Sequence, residues 1–134
     1  MADVVVVTNL GLSKTTGRLK GSDSDEPKYI GWGDDDDPAP AVTQTDLEGA
    51  ANEDRVAGTS SLVTTTTTDD TYQLVGTITS LSAQTIVEVA QFDAAGTGTP
   101  PSGGNMFLRG TFTGIGLGIG DSIQFTIKTV YDQA

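Results

Sequence analysis

Asp121-Ser-Ile-Gln-Phe-Thr-Ile-Lys-Thr-Val-Tyr131 decides the fold class. In an extended chain Ile123, Phe125, Ile127 and Tyr131 fall on one side and Gln124, Thr126 and Lys128 on the other. That period of two is the mark of a strand with one face in a core and one in water. Thr71-Tyr-Gln-Leu-Val-Gly-Thr-Ile-Thr79 reads the same way, with Tyr72, Leu74 and Ile78 inward. Asn105-Met-Phe-Leu-Arg-Gly-Thr-Phe112 likewise sets Met106, Leu108 and Phe112 against Phe107, Arg109 and Thr111. Three strands of this kind in the second half of the chain predict an all-β protein, an antiparallel β-sandwich whose sheets pack their apolar faces, a jelly roll being one version of it.

The neighbouring segments extend this reading. Thr85-Ile-Val-Glu-Val-Ala-Gln-Phe-Asp93 is a further strand, with Ile86 pointing opposite to Val87 and Val89. Ala94 to Gly104 holds four glycines and two prolines, too many breakers for regular structure, and is expected to project as a hairpin loop. Its tip is a candidate contact point. Gly114-Ile-Gly-Leu-Gly-Ile-Gly120 precedes a strand rather than opening a helix, so it fails the context of a dinucleotide-binding loop and reads as an apolar connection between sheets. Thr64 to Thr68 is expected to be a strand with a polar face, turning at Asp69-Asp70. Lys28-Tyr-Ile-Gly-Trp-Gly33 is a short aromatic strand, and Trp32 is either a core anchor or an intersubunit contact. Thr43 to Asn52 is either a short helical turn capped near Thr45 or Asp46, or a loop.

The first 26 residues read as an N-terminal arm and connector, with a single sandwich domain over residues 27–134. Val4, Val5, Val6 and Val7 form a first strand or an arm that adds to another sheet. Asn9 to Lys20 is a short amphipathic helix starting near Thr8 or Asn9 and stopped by Gly21, or an irregular arm, since Gly11 and Gly17 oppose the helix.

Composition narrows function. The chain of 134 residues contains no cysteine and no histidine, which removes disulfides, thiolate metal sites, and Ser-His-Asp or Cys-His nucleophiles. Glu88 and Asp93 are the best carboxylate pair for glycoside chemistry, but their offset along one strand puts them on opposite faces. No catalytic residue, cofactor-binding residue or metal ligand is assigned, and an enzyme is not expected. The Asp34-Asp35-Asp36-Asp37 run lacks the alternating spacing of a calcium loop, and with Pro38 and Pro40 behind it reads as a stiff solvated loop.

The net charge of −11 is placed entirely after Ile30, because Asp3, Asp23, Asp25 and Glu26 cancel Lys14, Arg18, Lys20 and Lys28. A surface this acidic is unsuited to a phosphate backbone, so no nucleic-acid partner is expected. No window approaches the ~20 apolar residues of a membrane span, and the start of the chain lacks the pattern of a signal peptide, so neither a membrane partner nor secretion is expected. No fixed-period repeat is present, which argues against a shaft of repeated fibre modules.

Six segments in order carry a resemblance: Pro27-Lys-Tyr-Ile-Gly-Trp-Gly33, Arg55-Val-Ala-Gly-Thr59, Thr71 to Thr79, Ile86-Val-Glu-Val-Ala-Gln-Phe-Asp-Ala94, Met106-Phe-Leu-Arg-Gly-Thr-Phe112 and Gly120-Asp-Ser-Ile-Gln-Phe-Thr-Ile-Lys128. The set, spanning residues 27–131, resembles small virion structural proteins of tailed bacteriophages, which range from head decoration to tail-fibre proteins. Asp34 to Asp37 departs from the small Gly/Thr loop expected there. The resemblance implies synthesis in the host cytoplasm and a place in the virion. The first expectation is a capsid decoration or cement protein on the capsid surface, a homo-oligomer (dimer or trimer) bound across subunits of the major capsid protein. Val4, Val5, Val6, Val7, Leu10 and Leu12 are the candidate partner-binding residues, the alternative being that they cap the domain's own core. The second expectation is a tail or baseplate adaptor.

Overall fold

Two long antiparallel hairpin-like pairings build the protein. The computed structural model describes residues 3–131. The strands are β1 (Val4–Val7), β2 (Tyr29–Gly33), β3 (Val56–Ala57), β4 (Thr59–Val63), β5 (Thr71–Thr79), β6 (Gln84–Phe92), β7 (Met106–Leu117) and β8 (Ser122–Val130), with one helix, α1 (Asn9–Lys20). They form a five-stranded sheet in the order β1-β7-β6-β2-β3 and a three-stranded sheet in the order β4-β5-β8, all pairings antiparallel. The chain crosses from one sheet to the other three times, at Gly58 between β3 and β4, between β5 and β6, and between β7 and β8. The result is an all-β sandwich with an N-terminal helix.

The core lies between the sheets, where Ile30, Trp32, Leu74, Ile78, Ile86 and Val89 meet Phe112, Ile123, Phe125 and Ile127. Trp32 is the anchor, buried edge-on against Phe125 with ring centroids 6.4 Å apart. β5 and β8 face each other in the alternation their sequences dictate, with Leu74 opposite Ile127 and Ile78 opposite Ile123.

Four local expectations are corrected. Ile86 and Val89 both enter the inter-sheet core, because the β6–β7 pairing is irregular between Ile86 and Glu88, where residues 112–114 of β7 oppose Val87 alone and the regular alternation is broken. Phe107, Arg109 and Thr111 do not face water: β7 is second from the edge of its sheet, and α1 and the segment after β2 cover its outer face, so all three are buried. Thr64 to Thr68 form a turn, not a strand. The Asp70 carboxylate accepts from the backbone N–H groups of Thr65, Thr66 and Thr67 at 2.8–2.9 Å, and this local closure outcompetes their β-propensity. Gly114 to Leu117 extend β7, so that of this segment only the tight turn at Gly118 to Asp121 remains as the β7–β8 link.

Residues 43–52 take the loop form of the two expected for them. The helix is realised with its caps: the Thr8 hydroxyl accepts from Gly11 N at 3.0 Å, and Gly21, at φ 81°, closes the end in the left-handed region. Thr8 also donates to Met106 O at 2.5 Å, which ties the helix start to β7. Gly11 is required there, because a Cβ at that position would collide with the Phe107 carbonyl. From Val4 onward the expected arm is therefore an edge strand and a packed helix of the sandwich. No helix among the described residues is long and apolar enough to cross a membrane.

Candidate functional site

The six residues singled out from the sequence divide between two surfaces. Val4 to Val7 pair with Thr111 to Leu108 of β7 on one side, and on the other side no strand follows among the described residues. Val4 and Val5 are exposed, Val5 by 62%, while Val6 and Val7 are half-buried. Leu12 is exposed on α1 and Leu10 is half-buried. The segment thus offers an open strand edge carrying apolar side chains, the arrangement that accepts an added strand.

A second surface lies along α1, and sequence reasoning missed it. A groove of about 800 Å³ runs between the C-terminal half of the helix and the β4–β5 hairpin. Phe107 and Tyr72 lie on its walls, and Leu19, Leu62 and Tyr131 stand exposed around it, Leu19 by 84% and Leu62 by 63%. The only sequence signal was the pair of leucines at polar-flanked positions. Nothing in their spacing tells that Leu19 and Leu62 meet in space.

Polar groups in the groove are engaged in defined ways. The Tyr72 hydroxyl donates to Glu26 Oε2 at 2.7 Å, and burial together with that carboxylate pushes the phenol well above its ordinary range. The Glu26 carboxyl is held below the ordinary range by the Ser60 hydroxyl and, against the effect of burial, by Tyr72. Lys14 is buried and joins Asp23 at 2.7 Å and Asp93 at 2.8 Å. Arg18 forms no salt bridge among the described residues, and Arg18 and Lys20 leave α1 cationic, with no acidic residue on the helix.

The remaining candidates serve the scaffold. Asp35 and Pro38 use their backbone carbonyls to accept from Arg109, at 3.1 and 2.9 Å, so the acidic run is pinned onto the outer face of the five-stranded sheet. Glu88 faces Arg109 and Asp93 faces Lys14, each carboxylate with its own cation. The Ala94 to Gly104 loop is clamped by Arg55, which donates to the carbonyls of Ala94 and Gly103.

Fold and surface together define a small antiparallel β-sandwich whose exposed features are an open apolar edge and a cation-flanked groove. No family model matches the chain, and neither a curated protein nor a solved structure matches it.

Proposed function

We propose that this chain is a non-enzymatic structural protein of a tailed-bacteriophage virion, a capsid decoration protein that binds across neighbouring major capsid protein subunits as a homo-oligomer. The observation that carries this reading is the β1 edge, with its open side and exposed Val4 and Val5, in the part of the chain whose charges cancel. An extended capsid segment added there gains backbone hydrogen bonds and covers the valines, while the acidic remainder stays in water. A protein that binds only the assembled shell stabilises it by mass action. The ordered segments that resemble virion proteins support the same setting.

Because Thr8 and Lys14 are buried in the sandwich, deleting residues 2–20 would strip β7 of its cover, so a point substitution is the cleaner probe. Val5→Asp leaves the core intact and is expected to abolish binding to purified capsids in a cosedimentation assay. Immunogold electron microscopy of virions with an antibody against this chain is expected to label the head. Label at the tail would move the function to a tail adaptor, and virions without label would overturn the virion reading.

A further inference from the structure

The groove along α1 needs an apolar occupant that tolerates nearby cations, and the chain itself carries one. Asp34-Asp-Asp-Asp-Pro-Ala-Pro-Ala-Val42 places four carboxylates directly before five apolar residues, most of them exposed. We propose that the Pro38 to Val42 segment of a second copy docks in this groove, with its Asp36 and Asp37 beside Arg18 and Lys20. The inference deepens the homo-oligomer part of the reading above and rests on it.

Three features fit segment to groove. First, a proline-rich segment is matched by aromatic walls, which here come from Tyr72, Phe107 and Tyr131. Second, the segment is already ordered: Arg109 holds the carbonyls of Asp35 and Pro38, and Gln44 accepts from Ala41 N at 2.9 Å and donates to Ala39 O at 3.2 Å. Docking a pre-organised segment loses little conformational freedom. Third, two copies of net charge −11 repel over most of their surfaces. Helix α1 carries no acid, and its Arg18 and Lys20, which form no salt bridge among the described residues, are where an acidic segment is received; Lys14 is already held by Asp23 and Asp93, and Glu26 in the groove accepts from Tyr72.

The contact joins copies, not two parts of one chain. Val42 O accepts from Asn9 N at the start of α1, and the segment lies over the outer face of the five-stranded sheet, whereas the groove opens along the other end of the helix. Two different patches meet, so the contact yields a discrete oligomer where its repetition closes a ring or pairs two copies reciprocally, and an open filament where the rotation does not close.

The test is the mass of the full chain by light scattering across a concentration series at physiological salt. The expected result is a discrete multiple of the 13.8 kDa chain. Arg18→Glu with Lys20→Glu is expected to raise the dissociation constant about tenfold, as loss of two exposed ion pairs does. Asp36→Lys with Asp37→Lys should do the same, and the four changes combined should restore association. Leu62→Asp, at an exposed position, should weaken it at least as much. An oligomer indifferent to all of these, or reversals that do not rescue each other, would overturn the assignment of segment to groove while leaving self-association standing. A monomer at every concentration would overturn both.

Discussion

Glu88 and Arg109 meet on the outer face of the five-stranded sheet, Nε to Oε1 at 2.8 Å, with both side chains fully buried. The pair is satisfied on all sides. Glu88 also accepts from Glu48 N at 3.0 Å and Gly49 N at 2.7 Å, while Arg109 spends its other donors on Asp35, Pro38 and Gln44. It therefore fixes the acidic segment and the following loop to the sheet. Removing one member leaves the other charge buried without its partner, which costs about 3–5 kcal/mol. Arg109→Met is expected to lower the unfolding free energy by that amount in urea titration. A change below about 1 kcal/mol, the range of exposed pairs, would mean that water reaches the site.

Lys14 with Asp23 and Asp93 contributes to the pH dependence of stability. The Lys14 hydrogen bond holds Asp23 below the ordinary carboxylate range. Burial works to raise Asp93, but donors from Asn105 N and Lys14 outweigh it and the carboxyl is held low. Groups depressed in the folded state keep their full contribution above the unfolded pKa and lose it as pH falls through the folded one. Lys14 is opposite in sign: burial opposes its charge, the two carboxylates outweigh burial, and its raised pKa gives stability that is complete below its ordinary value and lost at higher pH. Stability should thus be level near neutrality and fall below about pH 4, the ordinary carboxylate range. Lys14→Met should be less stable at pH 7 and show a shallower acid decline. An unchanged decline in urea titrations from pH 7 to 3 would assign it to other carboxylates.

The parts of the fold legible in the sequence were those determined locally. Thr8 and Gly21 bounded α1 because capping chemistry acts within a few residues, and β5 and β8 showed their faces because each has one wet side. Arg109 looked solvent-facing because its cover is a charged, proline-containing segment some seventy residues away, which taken alone reads as a solvated loop. The threonine run looked like a strand because propensity does not record Asp70, whose carboxylate gathers three consecutive amides. The candidate surfaces divide the same way. Val4 to Val7 read as a strand, but its pairing with β7 did not, and the groove draws its walls from α1, the β4–β5 hairpin, β7 and Tyr131, which no spacing rule connects.

Glu53 gathers three donors at one end of the core. Its Oε1 accepts from Trp32 Nε1 at 2.9 Å, and its Oε2 from Leu81 N and Gln84 Nε2, both at 2.9 Å. Burial works to raise this carboxyl, and the donors together hold it low. Glu53→Ala strands a buried indole N–H and a backbone amide, so a loss of about 2–3 kcal/mol is expected. Because Trp32 is the single tryptophan, its fluorescence reports both unfolding and local wetting. The variant's native emission should move to the red before any denaturant is added. An unshifted emission with full stability would show that the indole keeps its environment without Glu53.

Arg55 is the corresponding clamp for the Ala94 to Gly104 loop. Its guanidinium carbon lies 3.4 Å from the centroid of the Phe92 ring, and Nη1 donates to Ala94 O at 3.1 Å and Gly103 O at 2.8 Å, one carbonyl near each end of the loop. Asp46 is 3.7 Å from Nη2, which orients the group without bonding it tightly. A planar cation can stack on the ring and reach both carbonyls at once, and an ammonium cannot. Arg55→Lys keeps the charge and should still release the loop. The expected result is cleavage between residues 94 and 104 by a broad-specificity protease several times faster than in the parent, with sites elsewhere unchanged. Equal rates would show that the loop is held by its own backbone pairing of Thr97 with Ser102, at 2.9 and 3.0 Å, and that stacking on Phe92 serves only the sheet beneath it.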